Sequence, residues 1–165
     1  MRIVETYSHY NGLEFLEIHR HDLLEELKQL VKAFDISGVG NAGLSSRVSS
    51  FRNDPQSRRY HEQLESRGWH NSNSWRIENF SKQRIALKFC FGVRAGEERL
   101  EFNEFCARYR CDEIDVGIGI FPISSAEQDP DSCNFGTAIQ NLGKSSRAGV
   151  VVPLALFAVG PETDN

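Results

Sequence analysis

The sequence predicts an α/β fold, in which one sheet carries helices on its faces. Three observations predict it. Short apolar segments at 85–91, 113–122 and 150–160 alternate with amphipathic segments at 97–109 and 133–143, the order in which strands and covering helices recur. Hydrophobic residues make up 39% and charged residues 25% of the 165 positions, which is the composition of a chain with a core rather than of a disordered or coiled-coil one. No run of about 18 apolar residues occurs, so no membrane-spanning helix is expected. The opening MRIVETYSHY lacks the apolar stretch of a signal peptide, and a soluble, cytoplasmic protein with a single domain over 1–165 is the expectation.

The elements follow in order. Residues 2–18 read as strands meeting at Asn11-Gly12, a favoured hairpin turn. Leu23, Leu27, Leu30, Val31 and Phe34 recur at helical spacing, with Asp22 as their N-cap. Gly38, Gly40 and Gly43 punctuate a loop that carries Arg47 and Arg52. A second helix, from about Gln56 to Arg67, stops at Gly68. In the strand IALKFCF, Ile85, Leu87, Phe89 and Phe91 share one face, and Ala86, Lys88 and Cys90 the other. The helix at 97–109 buries Leu100, Phe102, Phe105, Cys106 and Tyr109. A strand at 113–122 ends at Pro122, and a short helix spans 133–143. The last strand, 150–160, contains Pro153, which pushes it toward a sheet edge or an irregularity.

The net charge of −4 is unevenly spread. Residues 1–35 hold 4 basic and 7 acidic side chains, 36–96 hold 10 and 4, and 97–165 hold 5 and 12. A basic middle between acidic ends is compatible with one polyanion-binding face; the competing account is that the segments mix in space and the asymmetry vanishes. Cys90, Cys106, Cys111 and Cys133 form no CxxC pair and have no His-x3–5-His partner, which argues against zinc and for reduced thiols. His9, His19, His21, His61 and His70 lie in no dyad or elbow context. Trp69 and Trp75 follow a helix end, where an aromatic is more often a core plug than a base-stacking group.

Five segments, in order, point further: MRIVETYSHYNGLEFLEIH, FRNDPQSRRYHEQLESRGW, FSKQRIALKFCFG, DEIDVGIGIFP and VVPLALFAVG. Together they resemble the Type II restriction endonucleases of the BglII/BstYI group, within the PD-(D/E)XK nuclease superfamily. The resemblance covers most of the chain. It implies a restriction-endonuclease-like fold, a central mixed sheet flanked by helices, with duplex DNA as partner, a homodimer as the assembly and Mg²⁺ as the cofactor of active members. Members usually carry a longer segment where only about a dozen residues here separate Trp69 from Lys82.

The resemblance also implies an acid entering the central strand, a second acid a few positions along it, and a Lys or Gln two residues later. Two carboxylates hold Mg²⁺ beside the scissile phosphate, and the metal polarises the phosphoryl oxygens. Carried onto this chain, those positions fall on Gln83, Lys88 and Cys90. An ammonium about 4 Å from a dication interacts with each unit of its charge by roughly 4 kcal/mol at an effective dielectric near 20, and the sign is repulsive. No metal and no catalytic residue is therefore expected there. A rebuilt site would draw on Glu78, Glu97, Glu98, Glu101, Asp112, Glu113 or Asp115, and spacing selects none of them. The basic residues Lys82, Arg84, Lys88 and Arg94 on the former catalytic strand, with Arg47, Arg52, Arg58 and Arg59 around Asp54-Pro55, are the DNA-binding candidates. For Lys88 the competing account is a pair with a nearby acid. The function expected is DNA binding without cleavage. The rivals are a divergent Mg²⁺-dependent endonuclease, or a subunit of one, and a remnant that neither binds nor cuts.

Overall fold

A computed structural model of the chain describes residues 1–33, 55–71, 79–91, 96–123, 133–146 and 149–161. Among them, β1 (Arg2–His9) leads into α1 (Gly12–His19) and α2 (His21–Ala33). Next come α3 (Pro55–Ser66), β2 (His70–Asn71), β3 (Asn79–Lys82) and β4 (Ile85–Phe89). The chain continues through α4 (Glu98–Arg110), β5 (Val116–Pro122), α5 (Phe135–Ser146) and β6 (Leu154–Gly160). The strands form one mixed sheet in the order β1-β6-β5-β4-β3-β2. β4, β5 and β6 are parallel neighbours, while β1, β3 and β2 join antiparallel.

Alternation along the strands divides the core in two. Ile85, Leu87 and Phe89 of β4 and Val116, Ile118 and Ile120 of β5 meet Leu16, Leu27, Leu30 and Trp69 on the face covered by α1, α2 and α3. Ala86 and Cys90 face the other way, into a cluster with Phe102, Phe105, Cys106 and Leu142 beneath α4 and α5. Apart from Lys88, both sides of the inner strands are thus apolar, as expected for parallel strands covered on two faces. The glycines of β5 admit α4: a Cβ on Gly117 would stand 2.8 Å from Cγ of Phe105 and 2.7 Å from Cδ2 of Leu154.

The strands expected at 85–91, 113–122 and 150–160 and the helices at 97–109 and 133–143 form, with shifts at their ends. Four expectations are corrected. The hairpin at Asn11-Gly12 does not form, because Tyr10 and Asn11 turn the chain into α1 rather than into a second strand. Gly12 is required there by packing: a Cβ would stand 2.4 to 2.5 Å from the backbone C, N and O of Leu154. β1 pairs with β6 instead, from the far end of the chain. Asp22 lies inside the first turn of α2, where the helix dipole favours it, and not at the cap. Pro153 does not push the last strand to an edge. β6 starts one residue later and lies between β1 and β5, and the Pro153 carbonyl accepts the Gly117 N–H at 3.0 Å. Leu100 is 59% exposed, since it lies two residues, or about 200° of helix, from Phe102 on the buried stripe; Tyr109 is exposed as well. The helix stop at Gly68 holds, with φ of 82° at that glycine and the Trp69 N–H donating to the Leu64 carbonyl at 3.0 Å.

Candidate functional site

The hairpin β3–β4 sets the geometry around Gln83, Lys88 and Cys90. Lys82 and Ile85 pair across a two-residue turn, Gln83-Arg84, in which both residues have positive φ (49° and 65°). That is the backbone of a type I′ turn, made here without glycine or asparagine. The strain of order 1 kcal/mol or more per residue needs an external hold, and Arg84 supplies one. Its carbonyl accepts the Asp115 N–H at 2.7 Å. Its guanidinium donates to Asp115 Oδ1 at 3.0 Å, to Asp112 Oδ1 at 2.6 Å and to the Asp112 carbonyl at 2.6 Å. Hydrogen bonds to Asp115 and then Asp112 push the arginine still further above its already high pKa.

This turn separates Gln83 from Lys88. Gln83 is exposed at the tip, whereas Lys88 lies three residues into β4 from Ile85, about 10 Å along the strand. The residue directly opposite Lys88 is Asn79 on β3, and opposite pairs share one face with Cβ atoms about 5 Å apart. On its other side Lys88 is in register with Gly119 of β5.

Helix α4 closes over that face. Lys88 is 2% and Glu101 7% exposed, and the Lys88 ammonium is ion-paired with Glu101 Oε2. One turn further along, Glu104 Oε1 accepts from Asn79 Nδ2 at 2.9 Å. Two residues of the hairpin thus face two of the helix: Lys88 with Glu101, Asn79 with Glu104. Glu98, fully buried at the start of the same helix, accepts the Gly96 N–H at 2.6 Å and a hydrogen bond from Asn141. Cys90 is buried in the apolar cluster, its N–H donating to the Ile120 carbonyl at 2.8 Å. Cys133, also buried, has its thiol pushed up to about 12 by burial.

These residues do not fit the family's Mg²⁺. A hard dication needs anionic oxygens; here an ammonium fills the strand, Cys90 offers a buried soft sulfur, and Glu101 is engaged by Lys88. Among the described residues no group of three His, Cys, Asp or Glu is arranged to hold a metal ion.

The other candidate cations on the hairpin are also tied to acids. Lys82 donates to Glu26 Oε2 at 2.8 Å and to the Arg67 carbonyl at 2.6 Å. Trp69 Nε1 donates to the other Glu26 oxygen at 2.7 Å, and Trp69 is a fully buried core plug. Arg84 is 43% exposed but clamped between two aspartates. Lys82, Arg84 and Lys88, all from the basic middle, are therefore paired with carboxylates of the acidic ends. Asp112 and Asp115 serve Arg84, and Glu113 pairs with Arg108, so none of the three joins the buried cluster. His61 packs edge-on against Phe80. Arg47, Arg52, Arg94, Glu78 and Trp75 lie outside the described residues.

The competing account of Lys88, a pair with a nearby acid, is what the structure shows, and Glu101 is that acid; sequence reasoning missed Asn79 and Glu104. A two-residue turn at 83–84 would have placed residue 79 opposite 88, but neither residue carries a turn signal.

A family model described as restriction endonuclease BglII/BglIII matches residues 4–159. No curated protein matches the sequence. Among solved structures, free BglII superposes with a TM-score of 0.64 at 14% identity, covering 100% of this chain and 82% of that one. BglII complexed with a DNA 16-mer superposes with a TM-score of 0.72 at 13% identity, covering 100% and 81%. The described elements agree with that mixed, helix-flanked sheet, and a match over nearly the whole sequence makes this chain a member of the BglII/BglIII restriction endonuclease family.

Proposed function

We propose that this protein binds duplex DNA without cutting it. The observation that carries the reading is the buried Lys88–Glu101 pair in the middle of β4. Two charges that neutralise each other inside the protein leave neither a carboxylate for a metal nor a mobile base for water. The kinship to BglII, solved in complex with a DNA 16-mer, supports DNA as the ligand. Contacts to phosphate fall to Arg47, Arg52 and Arg94, because Lys82, Arg84 and Lys88 already hold carboxylates. A homodimer is the assembly this family reading suggests. No helix among the described residues is long and apolar enough to cross a membrane.

The rival is a divergent endonuclease, and one observation favours it: Glu101 and Glu104 project from α4 onto the strand pair where acids are missing. Gel-shift and supercoiled-plasmid assays, each without metal, with Mg²⁺ and with Mn²⁺, separate the readings. Metal-independent, salt-sensitive shifting with intact plasmid is expected. Metal-dependent nicking that disappears in Glu101→Gln would establish the rival, and no shift under any condition would leave neither.

A further inference from the structure

The misfit to Mg²⁺ has a positive counterpart. Lys88 and Asn79 stand side by side on β4 and β3, and Glu101 and Glu104 stand one turn apart on the helix above them. Three of the four carry carboxylate or amide oxygens. The fourth, Lys88, places a cation among them, against Glu101. Gly119, in register with Lys88 on the next strand, adds no side chain to that neighbourhood. A lysine buried to 2% exposure in a sheet interior is rare unless its charge is answered.

We infer that the Lys88 ammonium is a built-in substitute for a metal ion: it fills the cation position of the Asn79, Glu101, Glu104 cluster, so the fold holds without a divalent ion. Removing the ammonium opens a divalent-cation site with the Glu101 and Glu104 carboxylates and the Asn79 amide oxygen as ligands. Mn²⁺ and Mg²⁺ are the cations of suitable size and hardness, and water completes their coordination shells. The inference rests on the reading that the strand has lost its metal, and is independent of DNA binding; failure to shift DNA leaves it standing.

The test compares the full chain with its Lys88→Ala variant by thermal unfolding and by calorimetric titration with Mn²⁺ alone. Wild type is expected to bind no Mn²⁺ at this cluster and to keep its Tm. Lys88→Ala is expected to bind one ion per chain, with Tm rising about 5–10 °C at a hundredfold excess over Kd. The gain should vanish in Lys88→Ala with Glu101→Gln. Should Lys88→Ala not fold without metal, Lys88→Gln, which keeps a polar group beside Glu101, takes the same titration. Mn²⁺ binding by wild type that Glu101→Gln removes would overturn the inference, as would the absence of binding in both Lys88 variants.

Discussion

Lys88→Met keeps the length and most of the volume of the side chain but removes its charge. Lys88 and Glu101 are 2% and 7% exposed, so solvent cannot screen what is left behind. Breaking one partner of a buried pair costs about 3–5 kcal/mol, because a carboxylate stays in the interior without its cation. At about 2–4 °C per kcal/mol for a chain of this size, Tm should fall by roughly 6–20 °C. Glu101→Leu alone should be comparably harmful, since it strands the ammonium. The double variant should recover most of the loss, because an apolar pair of similar volume is often neutral or stabilising in place of a buried ion pair. Urea unfolding of the four proteins measures the coupling as a double-mutant cycle. A coupling below about 1 kcal/mol, the range of solvent-exposed pairs, would refute the reasoning. Lys28 with Glu25 is the internal control: both side chains are more than two-fifths exposed, and neutralising either should leave unfolding unchanged.

Replacing Arg47 and Arg52 together with alanine should weaken DNA binding alike across sequences and lower the slope of log K against log salt by about 2, as measured by gel shift across a salt series; an unchanged slope would remove them from the interface. Gly12→Ala should cost roughly 3 kcal/mol or more, because backbone atoms of Leu154 at 2.4 Å cannot rotate away; denaturant unfolding reads it, and a near-neutral result would contradict the packing of α1 on β6. The Cys133 thiol, raised from 9.0 to about 12, stays protonated in the fold while the unfolded chain ionises. Its contribution to stability is therefore complete below about pH 9 and declines as pH rises toward 12; native alkylation should label exposed Cys111 and spare Cys133 until urea is added.

The fold was legible wherever local pattern and tertiary role agree. β4 and β5 alternate cleanly because each of their faces meets a different core, and α4 declares itself through Phe102, Phe105 and Cys106. It was illegible where a partner distant in sequence decides. Asn11-Gly12 has the composition of a hairpin, but the backbone of Leu154, some 140 residues away, makes Gly12 a contact point and turns the chain into a helix. Pro153 looked like an edge signal because sequence alone does not reveal that β6 begins just after it. The β3–β4 turn was hidden for the opposite reason: nothing local favours Gln83 and Arg84 in left-handed conformations, and the clamp that holds them comes from Asp112 and Asp115.

The candidate site follows the same rule, and there the consequence is chemical. That the positions the resemblance assigns to two acids and a polar residue carry Gln83, Lys88 and Cys90 was readable. Which of the nearby acids answers Lys88 was not, because Glu101 belongs to the next helix and reads locally as a solvated acid at a helix start. Segment charge misled in the same way: the +6 of residues 36–96 suggests a basic face, yet Lys82, Arg84 and Lys88 each meet a carboxylate from outside that segment. A lysine on a buried strand is tolerable only if a counter-charge lies within reach, since an isolated interior ammonium is too costly. Lys88 and Glu101 are therefore best understood as one unit. Replacing Lys88 with Glu should set a new carboxylate beside Glu101 and, in the absence of a divalent ion, destabilise the fold by like-charge repulsion. The partner position for any restored ligand is Asn79, opposite Lys88, and not Gln83 at the exposed turn. Lys88→Glu with Asn79→Asp should thus gain Mn²⁺ affinity by calorimetry, and Lys88→Glu with Gln83→Asp should gain less. The reverse order would show that the turn, and not the helix-covered face of the hairpin, is the better place for a second metal ligand.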